Sequence, residues 1–200
     1  LPARGAHGGQ LKKAILPPDG YVMIDADSSQ IEARTVAWLA GQDDLVTAFA
    51  NGEDVYSTFA TKVYDRPISK ANPVERFVGK TCILGLGYGT GAKKLQHTLM
   101  LGGADLPEDE CVRIVDLYRT SNDKITALWR KADEALNNLI DWPFGKTGKP
   151  MSEYNLGNKS LKVTRSGIKL PNGLYIRYPD LKTVTEDEKN KKIKENYLIP

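Results

Sequence analysis

Histidine and cysteine are scarce in this chain, with two of each in 200 residues. Cys82 and Cys111 form no Cys-x-x-Cys pair and no cluster with His7 or His97. That argues against a zinc site and a disulfide framework, so two reduced thiols are expected. The isolated histidines also leave no Ser-His-Asp or Cys-His arrangement for nucleophilic catalysis. Long apolar runs are missing too. Stretches such as Ala14-Ile15-Leu16 are far too short to cross a bilayer. No basic segment leads into an apolar core near Leu1, so no signal peptide is expected and the expected location is cytoplasmic. Neither sign of charge dominates. The 28 basic and 25 acidic residues leave +3, which permits nucleic-acid binding without arguing for it.

What is present has the composition of an ordinary globular protein: 40% hydrophobic and 26% charged residues. A chain of this size can bury roughly 70% of the surface that its unfolded form exposes, enough for a real core. Disordered, collagenous and membrane-spanning classes therefore fall away. No internal repeat is found. Tyr21–Asp27 reads as a strand entered through the Pro17-Pro18-Asp19-Gly20 turn. Ser29 to about Ala40 reads as a helix, with Ser29 and Glu32 spaced as a capping box and Gly41 as its stop. Asp43–Ala50 and Glu53–Tyr64 follow as helices, separated by Asn51-Gly52. Asn72-Pro73-Val74-Glu75 spells a helix start: a cap residue, proline at the first helical position, and a carboxylate near the positive end. That helix is expected to reach about Gly85. Further helices are expected over Ala92–Leu101, Pro107–Arg119 and Ile125–Ile140.

The character changes near Asp141, where glycine and proline accumulate as far as Gly173 and suit loops and hairpins. Ile168–Leu170, Pro171-Asn172-Gly173 and Leu174–Tyr178 predict a β-hairpin around its Asn-Gly turn. Thr185–Glu195 mixes both charge signs and is expected to be a solvated helix or a mobile loop; both ends read as cut from a longer chain. The expected fold class is α+β and mostly helical.

Three constellations could carry chemistry. Asp25, Asp27 and Glu32 gather carboxylates at a strand-to-helix turn, a position that suits metal or phosphate handling and equally suits turn formation and capping. Arg76, Lys80, Leu84 and Tyr88 recur every four residues and so trace one slowly spiralling stripe on a helix. Cations suit phosphate and a flat aromatic suits stacking on a base. The same spacing also describes an amphipathic helix with solvated cations and a buried Leu84 and Tyr88. Gly85, Gly87, Gly89 and Gly91 do not fit the Gly-x-x-x-x-Gly-Lys-[Ser/Thr] loop and follow a helix instead of a strand. They read as a helix end and a site of close packing.

Taken together, these segments resemble the DNA polymerase I family (family A), particularly its phage replicative members. Asp27-Ser28-Ser29-Gln30-Ile31-Glu32-Ala33-Arg34 resembles motif A, DYSQIELR, and departs from it at Ser28 and Ala33. Arg76 to Gly89 resembles motif B, RxxxKxxxFGxxYG, and departs at Leu84, where an aromatic is usual. Leu1-Pro2-Ala3-Arg4 resembles the IPVR stretch before motif A, and Asp54-Val55-Tyr56 stands where bacterial members have DIH. The likeness runs from residue 1 to about residue 130.

The resemblance implies a partial palm plus helical fingers of a right-hand polymerase: a palm segment at 1–41, fingers at 42–140, and at 141–200 a β-hairpin region leading back toward the palm. It implies Asp27 as a catalytic residue and metal ligand, helped by the Ser28 backbone carbonyl, with two Mg2+ ions in the complete enzyme. Lys80 is implied as catalytic and phosphate-binding. Gln30, Glu32, Tyr56, Arg76, Leu84 and Tyr88 are implied as dNTP-binding, with Glu32 closing the 2′ position, Tyr56 offering its hydroxyl to phosphate and Tyr88 beside the templating pair. Arg4 is implied as a DNA contact. The implied partners are primer-template DNA and dNTPs, with a processivity factor among those that such members can take, and no membrane. The family's second metal aspartate lies in an HDE motif, whereas residues 141–200 contain no histidine and Tyr178-Pro179-Asp180 is no substitute. The 200 residues alone are therefore expected to be inactive. A single-subunit RNA polymerase shares the palm and fingers, but Glu32 argues against an open 2′ position. A non-catalytic nucleotide- or DNA-binding module is the remaining alternative.

Overall fold

Local signals in the sequence set most of the helix ends. The computed structural model describes residues 14–140, 155–156, 160–164, 167–179 and 181. Helix α1 spans Ile31–Ala40 and stops at Gly41, whose left-handed φ of 71° lets its N–H turn back onto the Ala37 and Trp38 carbonyls. Helix α2 (Asp43–Ala50) carries Asp43 and Asp44 at its positive end. Helix α3 (Val55–Tyr64) is capped by Asp54, whose side chain accepts from the Ser57 backbone N–H. Helix α4 (Pro73–Leu86) begins on proline as expected. Asn72 stands at its cap position but accepts at 3.2 Å from the Ser69 backbone N–H, not from the helix. Helices α5 (Ala92–Leu101), α6 (Glu108–Ser121) and α7 (Asp123–Ile140) complete the helical part.

One core runs through these helices. Val78, Cys82 and Leu86 of α4 are buried with Leu95 and Leu99 of α5, Ile114 and Tyr118 of α6, and Ile125 of α7. Phe59 meets Tyr118 edge to face, with ring centroids 5.7 Å apart. Burial pushes the Cys82 thiol up to about 12 and raises that of Cys111 as well, so both are protonated, inert packing groups. Gln42, itself buried, donates to Asp44 Oδ1 at 2.6 Å and accepts from the Lys124 backbone N–H at 3.1 Å, joining the starts of α2 and α7.

A four-stranded antiparallel sheet packs on the far part of α7. Its order is β1 (Asn155–Leu156), β2 (Leu161–Thr164), β3 (Gly167–Lys169) and β4 (Tyr175–Ile176). Ala135, Val163 and Ile168 form a second, smaller core there. The expected hairpin is β3–β4, with Ile168 opposite Ile176 and Lys169 opposite Tyr175. The β1–β2 and β2–β3 pairs are antiparallel hairpins as well, within the stretch expected to hold loops and hairpins. The mixed-charge stretch Thr185–Glu195 lies outside the described residues.

Two expectations near the start of the chain do not hold. Tyr21–Asp27 has no regular secondary structure and is not a strand: among the described residues no other segment pairs with it, and strand hydrogen bonds need a partner. Tyr21, Val22 and Ile24 are consequently exposed. The capping box is also absent. The cap residue of α1 is Gln30, in left-handed conformation with φ 59°, and no side chain caps the helix.

Helices α3 and α4 approach closely, backbone against backbone. A Cβ on Gly79 would collide with the Tyr56 backbone carbonyl. Gly79→Ala is therefore expected to destabilise the fold by about 1–3 kcal/mol through overpacking, outweighing the ~1 kcal/mol by which alanine is the better helix former. Denaturant unfolding of the variant beside wild type checks this, and equal stability would contradict the packing.

Candidate functional site

Helix α4 presents two separate groups of side chains to its neighbours. At its first turns Arg76 reaches α3. Its Nε donates to Asp54 Oδ2 at 2.8 Å and its Nη2 to Asp54 Oδ1 at 3.0 Å. The guanidinium carbon stands 5.3 Å from the Tyr56 ring centroid, and Tyr56 itself is buried. Asp54 also accepts from Ser57 Oγ at 2.7 Å. The Arg76 guanidinium, helped by these hydrogen bonds, holds the Asp54 carboxyl down at about 2, against partial burial that would raise it. Lys80, one turn on, is exposed and has no ion pair among the described residues.

At the other end, α4 faces α1 across a cleft of about 350 Å3. Glu32, Val36 and Leu39 line one side; Ile83, Leu84, Gly87 and Tyr88 line the other. Tyr88 lies just past the helix and is 69% exposed. The neighbouring Glu32 carboxylate, through its hydrogen-bonding capacity and its charge, together with lost solvation, raises the Tyr88 hydroxyl above the usual tyrosine range. Glu32 shares the cleft with Tyr88, and no side chain caps the helix. Leu84 is half-buried in the cleft wall. The glycines form the turn that places Tyr88: Gly87 follows the helix, Gly89 has φ 73°, and Gly91 is the cap residue of α5. The indole N–H of Trp129 in α7 donates to the Gly87 carbonyl at 3.1 Å and ties down this turn.

The stripe therefore divides. Arg76 turns to α3, Lys80 to solvent, and Leu84 and Tyr88 to the cleft with Glu32. Asp25, Asp27 and Ser28 lie in the exposed segment before α1. The Ser28 carbonyl accepts from the Ile31 N–H at 3.3 Å, and a carbonyl oxygen keeps a second lone pair for another partner. The Gln30 carbonyl accepts the Arg34 N–H at 3.0 Å. Arg4 falls outside the described residues.

Sequence reasoning passed over two side chains that hold the site. Arg34 donates through Nε to the Ser29 carbonyl at 3.0 Å and through Nη1 to the Phe49 carbonyl at 3.2 Å, stapling the turn before α1 to α2. Its position inside the motif A segment was the available signal. Trp129 had none, because its partner lies 42 positions away. A hollow of about 550 Å3 also borders Asp54, lined by Ser57, Thr58, Thr61, Ser69 and Lys70. Its hydroxyls are already engaged: Ser57 with Asp54, Thr58 with the Asp54 carbonyl, and Thr61 with the Ile68 N–H. It is a structural feature of the α3 start.

Residues 1–139 match the family described as DNA polymerase family A. The DNA polymerase of Bacillus phage SP02 is 31% identical over 176 residues, covering 84% of this chain and 25% of that protein. The thermostable DNA polymerase I of Thermus thermophilus is 29% identical over 134 residues, 67% of this chain and 16% of that protein. DNA polymerase I of Pseudomonas aeruginosa is 37% identical over 92 residues, 46% of this chain and 10% of that protein. The chain thus spans a quarter or less of each of these relatives.

The Asp54–Arg76 pair has a measurable acid signature. Because the folded carboxyl sits near 2 against an ordinary 3.8, the unfolded chain takes up the proton first as pH falls. The pair's contribution is full above the ordinary value and is lost as pH drops through the folded one. With side chains 28% and 27% exposed, solvent screening holds that loss to about 1–2 kcal/mol. Urea unfolding along an acid series should show a shallower decline for Asp54→Asn than for wild type over that window. Parallel declines would remove the pair from the stability of the fold.

Proposed function

The chain belongs to DNA polymerase family A, and from that membership we propose that it forms the nucleotide-binding part of a template-directed DNA polymerase. The whole protein adds deoxynucleotides to a primer 3′-hydroxyl in phage DNA replication, inside the host cytoplasm; the phage relative supports that setting. Residues 1–41 contribute to the palm, 42–140 form the fingers and 141–200 lead back toward the palm. The observation that carries the reading is the cleft shared by Glu32 of α1, Leu84 of α4 and Tyr88 just past α4, beside a helix that carries Arg76 and Lys80.

In this reading Arg76 and Lys80 receive the triphosphate through charge-assisted hydrogen bonds. Leu84 packs on the sugar, Glu32 closes the 2′ position, and the exposed Tyr88 ring lies by the templating pair. Tyr56 offers its hydroxyl to phosphate, Gln30 completes the nucleotide pocket, and Arg4 contacts DNA. The turn Asp27-Ser28 brings hard oxygen donors, the kind that magnesium takes together with substrate phosphates. Asp27 and the Ser28 carbonyl fit part of that shell, and among the described residues no group of three or more His, Cys, Asp or Glu gathers to complete it. Bound magnesium supplies charge neutralisation at the phosphates and a more acidic 3′-hydroxyl. The chain's own residues do the positioning: Lys80 stands where phosphate charge grows in the transition state, and Glu32, on the cleft wall opposite Leu84, faces the sugar. The same wall weighs against the single-subunit RNA polymerase reading. No helix among the described residues is long and apolar enough to cross a membrane.

Two measurements on the full-length polymerase test the assignment. Glu32→Ala should lower the ratio of kcat/KM for dNTP over rNTP by on the order of 10–100-fold, the range for a single-group discrimination. An unchanged ratio would remove Glu32 from sugar discrimination. Lys80→Ala should slow pre-steady-state incorporation by on the order of 10²-fold while primer-template affinity holds. Near-normal incorporation would remove Lys80 from the phosphate site.

A further inference from the structure

A guanidinium has five N–H donors arranged around a plane. Asp54 engages Arg76 side-on, taking Nε–H and one Nη2 proton at 2.8 and 3.0 Å. The outer edge, made by Nη1 and the second Nη2 proton, has no acceptor among the described residues. The carboxylate that docks the inner edge is itself fixed. It caps α3, with Ser57 Oγ donating to Oδ2 at 2.7 Å. The buried Tyr56 ring backs the guanidinium at 5.3 Å. The close approach of α3 to α4 at Gly79 sets the distance between the two helices that carry the pair. An exposed arginine has many rotamers, whereas this one has its inner edge occupied and its outer edge aimed by a rigid partner.

We propose that Asp54 is a positioning residue for phosphate recognition: it holds the inner edge of the Arg76 guanidinium so that the outer edge is presented, pre-oriented, to a phosphate oxyanion of the incoming nucleoside triphosphate. This rests on the nucleotide site proposed above. The ligand class follows from the geometry, because the free edge is a parallel pair of N–H donors that matches two oxygens of one phosphate. Two effects of Asp54 on that phosphate oppose each other. Its negative charge repels the ligand, and its hydrogen bonds order the arginine. The repulsion acts at a partly exposed site through solvent and salt and is weak; the ordering acts on directional, charge-assisted bonds and prevails. Removing the carboxylate therefore weakens nucleotide binding, although it makes the site more positive.

The test is a double-mutant cycle in the full-length polymerase, reading KM for dNTP, kcat, primer-template affinity and melting temperature. Asp54→Ser and Asp54→Asn both retain a side chain able to cap α3 but cannot dock a guanidinium bidentately. Each should raise KM by about tenfold, the scale of a hydrogen bond to a charged group, with a smaller change in kcat and none in primer-template affinity. Asp54→Glu, which keeps the carboxylate, should recover part of the loss. In an Arg76→Ala background the Asp54 substitutions should have no further effect on KM. If Arg76→Ala itself leaves KM unchanged, the nucleotide site is wrong at this helix. If Arg76→Ala raises KM while the Asp54 variants leave it unchanged, lower it, or add their full effect on top, only the positioning role fails. A common fall in kcat, primer-template affinity and melting temperature would make Asp54 a helix cap alone.

Discussion

The seam between α3 and α4 is the contact on which the candidate site depends. It exists because position 79 has no side chain, so the Tyr56 carbonyl can lie directly on the neighbouring helix. Everything at the start of α4 is measured from that seam. Tyr56 is buried at it, Asp54 caps the helix that enters it, and Arg76 crosses it to reach Asp54. A wider seam would lengthen hydrogen bonds that now lie at 2.8 and 3.0 Å, and such bonds weaken steeply with distance and misalignment. The glycine also weakens the middle of α4 as an isolated helix. The core residues Val78, Cys82 and Leu86 around it compensate by tertiary burial.

Helix α4 thus serves as a ruler between two unlike environments. Its first turns meet a carboxylate and a buried ring; its last turn meets an open, largely apolar cleft with one acidic wall. Between them Lys80 projects into solvent. A nucleoside triphosphate has the same polarity along its length, anionic at one end and flat and apolar at the other. The nucleotide site proposed above rests on that correspondence and not on any single side chain. The far end is held from outside the helix as well, since Trp129 binds the Gly87 carbonyl in the turn that carries Tyr88.

Features encoded by adjacent residues were legible in the sequence. Asn72-Pro73 opens α4, Gly41 closes α1, and Pro171-Asn172-Gly173 turns β3 into β4. The stretch Tyr21–Asp27 has the composition of a strand, yet a strand is a property of two segments, and no partner for it occurs among the described residues. Ser29 and Glu32 have the spacing of a capping box, but the left-handed backbone at Gln30 sets the helix start without a side-chain cap, and Glu32 lines the cleft that Tyr88 also lines. The four-residue recurrence of Arg76, Lys80, Leu84 and Tyr88 marked the helix on which the site is proposed. It could not show that Arg76 would be paired with Asp54, 22 positions earlier, because periodicity reports a helix face and not what lies opposite.

Gln42 has one more consequence, and it concerns the order in which the chain assembles. Its amide spans 82 positions to reach Lys124, and α1 packs against α7 over the same span. The helices between them pair with close neighbours, α3 with α4 and α5 with α6. Local pairs close short loops, and the entropy of closing a long one grows only slowly with its length, but it must be met before the contact yields anything in return. The topology therefore places the α1–α7 clasp late in folding, after the intervening hairpins exist to bring its two halves together. The wall that bears Glu32 would then dock onto a helix already carrying Arg76 and Lys80.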